Sequence, residues 1–423
     1  MAGLGRSFTH LWASAALSNL ADGVLKVGAP LLAVSITRSP TEVALVGAAA
    51  TLPWLVFALP AGAVADRVDR RRVMALANAG RAGGLVAAGA LAASGVLNLW
   101  LMLLAVLVAG VAEVFADTAA QAVLPMTVPA ERLAAANGRV VGAQTVGNDF
   151  VGAPLAGVLV TLLPAAVLGG PALLYGAAAL LLLGMRGRFR PARPPRADGQ
   201  GAASMRREIA EALRYLWGHR FLRTLALSAG AINAASAAYF GVLVLWLVGE
   251  GSRVGLEPSG YGLMMTALAV GALAGSLVSE RITRLLGEGR TLVLMWMVSA
   301  LLHLVPVLLP VAWLLYPTAV VWGLAGASAN VLVISARQRL IPAELLGRVN
   351  SAYRLIGMGG MPVGAALGGV LGELAGLPAV FLSATAVSVA AVCLVWRVAP
   401  RRISVPLTSD HTVDPTSGSL SAP

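Results

Sequence analysis

The chain has 423 residues, 58% of them hydrophobic and 12% charged, with a formal charge of +12 and a mean hydropathy of +0.81. A water-soluble domain carries about a quarter charged residues, so this composition excludes that class. The excess of arginine lies in short gaps between apolar runs rather than on one stripe, so nucleic acid is not the expected partner.

Twelve apolar runs are long enough to cross a bilayer, which needs roughly 20 residues. They cover residues 10–36, 41–64, 73–94, 98–122, 139–163, 167–185, 221–249, 259–279, 291–310, 312–336, 352–375 and 377–397. The first run carries Asp22 and Lys26 and is longer than the apolar core of a signal peptide, so no cleaved leader is expected. The weakest separations fall near 310–312 and 375–377, where only proline and glycine divide the runs.

Basic residues set the orientation. With both termini in the cytoplasm, 27 of the 31 arginines and lysines fall in inner segments. Arg38 and Arg253 fall outside, and Lys26 and Arg81 lie within spans. Four segments follow: a first six-helix bundle over 1–185, a cytoplasmic linker over 186–220, a second bundle over 221–398, and a disordered tail over 399–423. Within the linker, Ile209, Leu213, Leu216 and Trp217 recur at helical spacing from Ser204 to Trp217, and Arg206, Arg207 and Arg214 are placed to meet anionic headgroups.

The two halves repeat. Pro129-Ala-Glu-Arg-Leu-Ala-Ala-Ala-Asn137 matches Pro342-Ala-Glu-Leu-Leu-Gly-Arg-Val-Asn350 at five positions with an offset of 213. The same offset places Gly62 on Gly275 and Phe8 on Phe221, and one extra residue aligns Asp66 with Glu280 and Arg70 with Arg284. A parallel repeat of this kind predicts two bundles related by a pseudo-two-fold along the membrane normal, with cargo bound between them near the midplane.

Ionisable groups inside the membrane are costly and are functional candidates. Asp22 and Lys26 lie one turn apart and can face each other, either as a self-neutralised pair or as a proton or cargo site. Glu113 and Asp117 are also one turn apart, with like charge, so one of them is placed to change protonation state. The alternative for both is pairing with Arg81 or Arg139. Asp149, beside Asn148, is a further proton or cargo candidate. Asn19, Asp22, Lys26, Asn148 and Asn233 form the expected cavity set. His303 reads as a hydrogen-bonded packing residue. Gly360, Gly364, Gly368 and Gly372 form a smooth face for helix contact or sliding. Cys393 is the only cysteine and sits in an apolar run. No metal site, cofactor motif, phosphate loop or nucleophile triad is present in the sequence, so catalysis is not expected.

The segment Gly62-Ala-Val-Ala-Asp-Arg-Val-Asp-Arg-Arg-Arg72 resembles the signature loop between helices 2 and 3 of the major facilitator superfamily. Leu17–Gly23, Leu52–Gly62, Gly110–Asp117, Arg337–Pro342 and Gly347–Asn350 resemble the branch of enterobactin exporters and macrolide efflux proteins. Gly147, Gly152, Pro154 and Gly157 give only a loosened version of the helix-5 antiporter pattern.

The resemblance implies an all-α membrane protein that works by alternating access. It implies export of an amphipathic drug or siderophore-like molecule against protons, by a monomer in the cell membrane among its lipids. It also implies a cytoplasmic gate of Gly62, Asp66, Arg67, Arg70, Arg71 and Asp117. There Asp66 would accept hydrogen bonds from a neighbouring helix's first amides, Asp117 would partner the loop arginines, and Arg67, Arg70 and Arg71 would grip the other bundle when the cavity faces outward. The alternatives are an importer, a lipid or lysolipid flippase, or a transport-inactive sensor of the same fold.

Overall fold

The structure is a computed structural model that describes residues 5–190, 210, 211 and 213–398. Twelve helices cross in alternating directions: α1 Arg6–Ile36, α2 Pro40–Ala65, α3 Arg70–Ala93, α4 Leu99–Val123, α5 Leu133–Leu162, α6 Ala166–Leu183, α7 Arg220–Leu247, α8 Pro258–Leu286, α9 Glu288–Leu308, α10 Ala312–Leu340, α11 Ala343–Ala375 and α12 Leu377–Val398. Eleven are long and apolar enough to cross a membrane. The exception, α3, carries Arg70, Arg71 and Arg72 in its first turn and Arg81 inside, and it packs between α4 and α6. The expected all-α architecture of two six-helix bundles is present.

Local chemistry sets the helix ends. Ser39, Asp69, Asn98 and His219 cap α2, α3, α4 and α7 by accepting backbone N–H bonds with their side chains. Gly287 (φ 81°) and Gly376 (φ 83°) each end one helix and begin the next, in a conformation that a side chain would strain. Several helices run further at the arginine-rich end than their apolar runs do: α5 starts at Leu133, α8 continues to Leu286, α10 to Leu340, and α11 starts at Ala343.

Two helices are interrupted. In α5 the segment Val146–Gly152 is π-helical. Pro154 follows it and has no N–H to give the Phe150 carbonyl, which favours the wider turn. In α9 the chain breaks between Leu302 and Val305.

The repeat seen in the sequence has structural counterparts. Pro129 and Pro342 both precede a helical start in extended conformation. Phe8 and Phe221 are both buried in their own bundle's core. Asp66 pairs with Arg70 at 3.6 Å, and Glu280 pairs with Arg284 at 3.9 Å.

The bundles meet at one end and part at the other. At the end away from the arginines, a single apolar core joins residues of both halves, including Val43, Val46, Tyr239 and Leu243. At the arginine-rich end there are two separate cores. One holds Phe8, Leu11, Met74 and Leu182, and the other Phe221, Leu225, Trp296 and Val349. The molecule is therefore open toward the arginine-rich end. Polar contacts between the bundles reinforce the closed end. Ser39 Oγ donates to Glu373 Oε2 at 2.6 Å, Thr41 N–H donates to the same oxygen at 3.4 Å, and Arg38 Nη1 donates to the Val248 carbonyl at 3.0 Å. Glu373→Ala removes an acceptor that two α2 groups share. The expected result is a shift toward opening at this end, read as faster labelling of a cysteine introduced at Gly47; unchanged labelling would show that the apolar core alone holds the closure.

The glycine stripe of α11 has a definite partner. Gly360, Gly364 and Gly368 lie against Gly230, Ala234 and Ala238 of α7, within the same bundle. A Cβ on Gly364 would stand 2.6 Å from the Ala234 Cα. Gly364→Val is expected to cost about 1–3 kcal/mol by forcing α7 and α11 apart, with a lower midpoint of thermal unfolding in detergent as the readout.

The turn before α7 includes helical residues 213–218. Leu216 is buried in the second bundle's core, and the Tyr215 hydroxyl donates to the Leu340 carbonyl at 2.7 Å. The expected linker residues Arg206, Arg207 and Ile209, and the tail 399–423, lie outside the described residues.

Candidate functional site

One face of α1 carries hydrogen-bonding groups at every turn: Ser14, Ser18 and Asp22. Each finds a partner on a neighbouring helix. Ser14 Oγ donates to the Ala178 carbonyl of α6 at 2.9 Å, and Ser18 Oγ donates to Asn78 Oδ1 of α3 at 3.3 Å. One turn further, Asp22 Oδ1 accepts from Arg81 Nη2 of α3 and from the Tyr175 hydroxyl of α6, the latter at 2.6 Å.

Arg81 is the centre of this group. Its side chain is 2% exposed, and its Nη2 also donates to the Tyr175 oxygen at 2.6 Å. Its guanidinium lies 3.8 Å from the Tyr175 ring centroid, a cation–π contact. Nη2 stands 3.6 Å from Glu113 Oε2 on α4. One arginine thus serves two carboxylates unequally: Asp22 is hydrogen-bonded and enclosed, whereas Glu113 is held loosely and is 19% exposed. Burying such charges is tolerable because each has an opposite partner.

These groups border a cavity of about 330 Å³ near the middle of the helices. Asp22, Lys26, Arg81 and Glu113 supply its charges. Its remaining wall is mostly apolar and includes Trp54 of α2 and Met358 and Met361 of α11, so both bundles contribute. Lys26 is exposed here and makes no hydrogen bond or ion pair among the described residues.

The loop between α2 and α3 is ordered by carbonyls of its own bundle. Arg70 Nε donates to Ala65 O at 3.0 Å, Arg70 Nη1 to Ala122 O at 3.0 Å, and Arg71 Nη1 to Met185 O at 2.7 Å. These carbonyls lie at or just past the ends of α2, α4 and α6, where the helix dipole favours a cation. Asp66 is largely exposed and pairs with Arg70; Arg67 is exposed.

Comparison with known proteins agrees with this architecture. Residues 4–416 match the family described as transmembrane secretion effector. The chain belongs to this family of the major facilitator superfamily. It is 28% identical over 401 residues to the multidrug efflux pump Tap of Mycobacterium tuberculosis, covering 90% of each chain. It is 27% identical over 388 residues to the enterobactin exporter EntS of Citrobacter koseri, covering 87% of this chain and 86% of the relative. A bacterial homologue of the iron transporter ferroportin, in an inward-facing state, shares its fold with a TM-score of 0.70 at 15% identity, covering 93% of this chain and 99% of that one. The protein is a multi-pass membrane transporter and not an enzyme.

In this facilitator the residues singled out from the sequence separate into groups. Asp22, Lys26 and Glu113 share the cavity. Asn19, Asn148 and Asn233 are not among its lining residues. Asn19 Nδ2 donates to the Ala15 carbonyl of its own helix at 2.7 Å, and Asn233 Nδ2 ties α7 to the Gly357 carbonyl of α11 at 2.9 Å. Asn148 is buried, and its backbone meets Gly23 where α1 crosses α5. Asp149 is exposed, and its backbone carbonyl accepts from Thr266 of the other bundle at 3.0 Å.

Three contact expectations are corrected, those for Asp22, Asp66 and Asp117. Asp22 pairs with Arg81 and Tyr175 rather than with Lys26, because a guanidinium and a phenol meet it in a buried site while Lys26 turns to the cavity. Asp69, not Asp66, caps α3, accepting from Arg72 N–H at 3.2 Å. With the two bundles parted at this end, the loop arginines bind carbonyls of their own bundle, and the grip on the other bundle expected for the outward-facing state has no counterpart in this open one. Asp117 is half-buried and forms no ion pair among the described residues, and a Cβ on Gly62 would meet nothing within 4 Å. His303 is buried as expected, its Nδ1 within 3.0 Å of the Ala300 carbonyl and its ring edge-on to Tyr239 and Trp322.

Sequence reasoning missed Tyr175. The signal was available: it is the one side chain in α6 with a hydrogen-bonding group, and a phenol in an apolar helix needs a partner.

Proposed function

We propose that this transporter exports amphipathic small molecules in exchange for protons by alternating access, as a monomer in the cell membrane with its arginine-rich end in the cytoplasm. The observation that carries this reading is the unequal sharing of Arg81. Asp22 holds the arginine in place, while Glu113 faces the cargo cavity with a weaker hold on it. A carboxylate in that position exchanges a proton with little disturbance to the fold. The mostly apolar wall suits an amphipathic cargo, and the multidrug pump and enterobactin exporter among the relatives support outward transport.

Alternating access needs the arginine-rich end to close. Asp66, Arg67, Arg70 and Arg71 form the gate in this reading, with Gly62 and Asp117 behind it. Closure brings the exposed Asp66 carboxylate and Arg67 to the second bundle, whose own Glu280, Arg281 and Arg284 occupy the matching position in the repeat. Asp66→Asn is expected to lower turnover at least about tenfold, the loss of a charged hydrogen bond, with membrane insertion unchanged. Normal turnover would remove Asp66 from the gate.

The reading is tested in everted membrane vesicles holding the transporter. An imposed proton gradient, acid inside, is expected to drive uptake of amphipathic dyes from a panel of differing charge, and a protonophore is expected to abolish it. Uptake that ignores the protonophore would contradict exchange.

A further inference from the structure

We infer that the transporter carries a binding site for an anionic phospholipid headgroup between the start of α7 and the end of α12, built on Arg220 and Arg397. An open pocket at the arginine-rich end is lined by Gly218, His219, Arg220 and Phe221 on one side and by Arg397 and Val398 on the other. The two helices are held together roughly two turns further along, where Ser228 Oγ donates to the Ala391 carbonyl at 3.1 Å.

The chemistry of the lining is one-signed. Two arginines converge on the pocket from different helices, and among the described residues no aspartate or glutamate lines it. Neither guanidinium makes a hydrogen bond or ion pair with the described residues, unlike Arg70, Arg71 and Arg339, which are all engaged. Arg223, one turn along α7, adds a third charge beside them, with its Nη1 donating to the Trp217 carbonyl at 3.1 Å. A planar guanidinium pair with free donors matches the oxygens of a phosphodiester.

The surroundings select a lipid over a free phosphate. Trp217 and Trp396, the residues just before the two lining segments, are both exposed tryptophans, the side chain that favours the headgroup level of a bilayer. From the pocket toward the membrane centre, Leu394 and Val387 of α12 and Leu227 of α7 are exposed apolar side chains. A phosphate in the pocket would leave acyl chains along this apolar surface. A basic pocket between transmembrane helices at a membrane face is suited to anionic headgroups, each arginine near the surface contributing to the attraction.

The test is native mass spectrometry of the purified full-length transporter in detergent, titrated with phosphatidylglycerol or with phosphatidylcholine of the same acyl chains. The expected result is tighter binding of phosphatidylglycerol by roughly 30-fold, the effect of two arginines at the surface. Arg220→Gln with Arg397→Gln should bring it to the phosphatidylcholine level. The double lysine variant should keep most of the preference, and Arg253→Gln at the opposite end should change nothing. Thermal unfolding of each variant checks that it is folded. Equal binding of the two lipids, or a preference that survives the double glutamine variant, would overturn the site. Equal competition by water-soluble glycerol phosphate would overturn the lipid assignment.

Discussion

Arg81→Met is expected to be the most damaging single substitution in the chain, lowering stability by about 3–5 kcal/mol. The guanidinium is enclosed by α1, α3, α4 and α6, and its loss leaves Asp22 buried with only the Tyr175 hydroxyl. The cost arises mainly from that uncompensated carboxylate. Asp22→Asn in the same chain should therefore recover much of the loss, with a coupling of 0.5–3 kcal/mol or more between two residues in contact. Arg81→Lys should not rescue it, because a point charge cannot hold Asp22, stack on Tyr175 and face Glu113 at once. Thermal unfolding in detergent measures the wild type, Arg81→Met, Asp22→Asn, their double variant and Arg81→Lys. Additive effects of the Asp22 and Arg81 substitutions would show that the pair does not act as a unit.

Glu113→Gln is expected to behave in the opposite way: stability nearly unchanged and coupling lost. The side chain keeps its shape, its contact with Arg81 is 3.6 Å, and it is already partly exposed to the cavity. One pH unit is worth about 1.4 kcal/mol, which supports roughly tenfold accumulation for one proton per cargo. The variant should lose that accumulation and equilibrate cargo independently of the gradient. Wild-type accumulation in the variant would move the proton site to another carboxylate, with Asp149 and Asp117 the next to replace.

Much of the fold was legible because a bilayer imposes a simple rule on composition. The twelve apolar runs correspond to twelve helices, and even the division at Gly376 is real, since its positive φ both ends α11 and starts α12. The same rule explains the errors at the ends. Apolar runs stop at the edge of the hydrocarbon, whereas α8, α10 and α11 continue as helices beyond it, with Arg281, Arg284, Arg337, Arg339 and Arg348 on their extensions. Hydropathy marks the membrane boundary and not the helix boundary.

The site was legible as a set of charges and not as a set of bonds. Spacing along one helix suggested Asp22 with Lys26, yet the partner of Asp22 lies 59 residues away on α3. Local spacing is a weak guide where tertiary packing brings a guanidinium and a phenol to the same carboxylate. The wall residues Met358 and Met361 carry no sequence pattern that marks them as site residues, since only the crossing of helices brings them to the cavity, and Tyr175 is marked only by being the one hydrogen-bonding side chain of α6. The loop motif was legible as a cluster, but its arginines can bind carbonyls of either bundle, and the choice depends on which end is open.

The most direct test of the central claim is the reverse of gradient-driven transport. Proteoliposomes loaded with a pH-reporting dye are given a cargo gradient and no initial pH gradient, and internal pH is followed. Exchange predicts proton movement opposite to the cargo in the wild type and none with Glu113→Gln. Proton movement in the same direction as the cargo, or cargo flux with no pH change in the wild type, would contradict it.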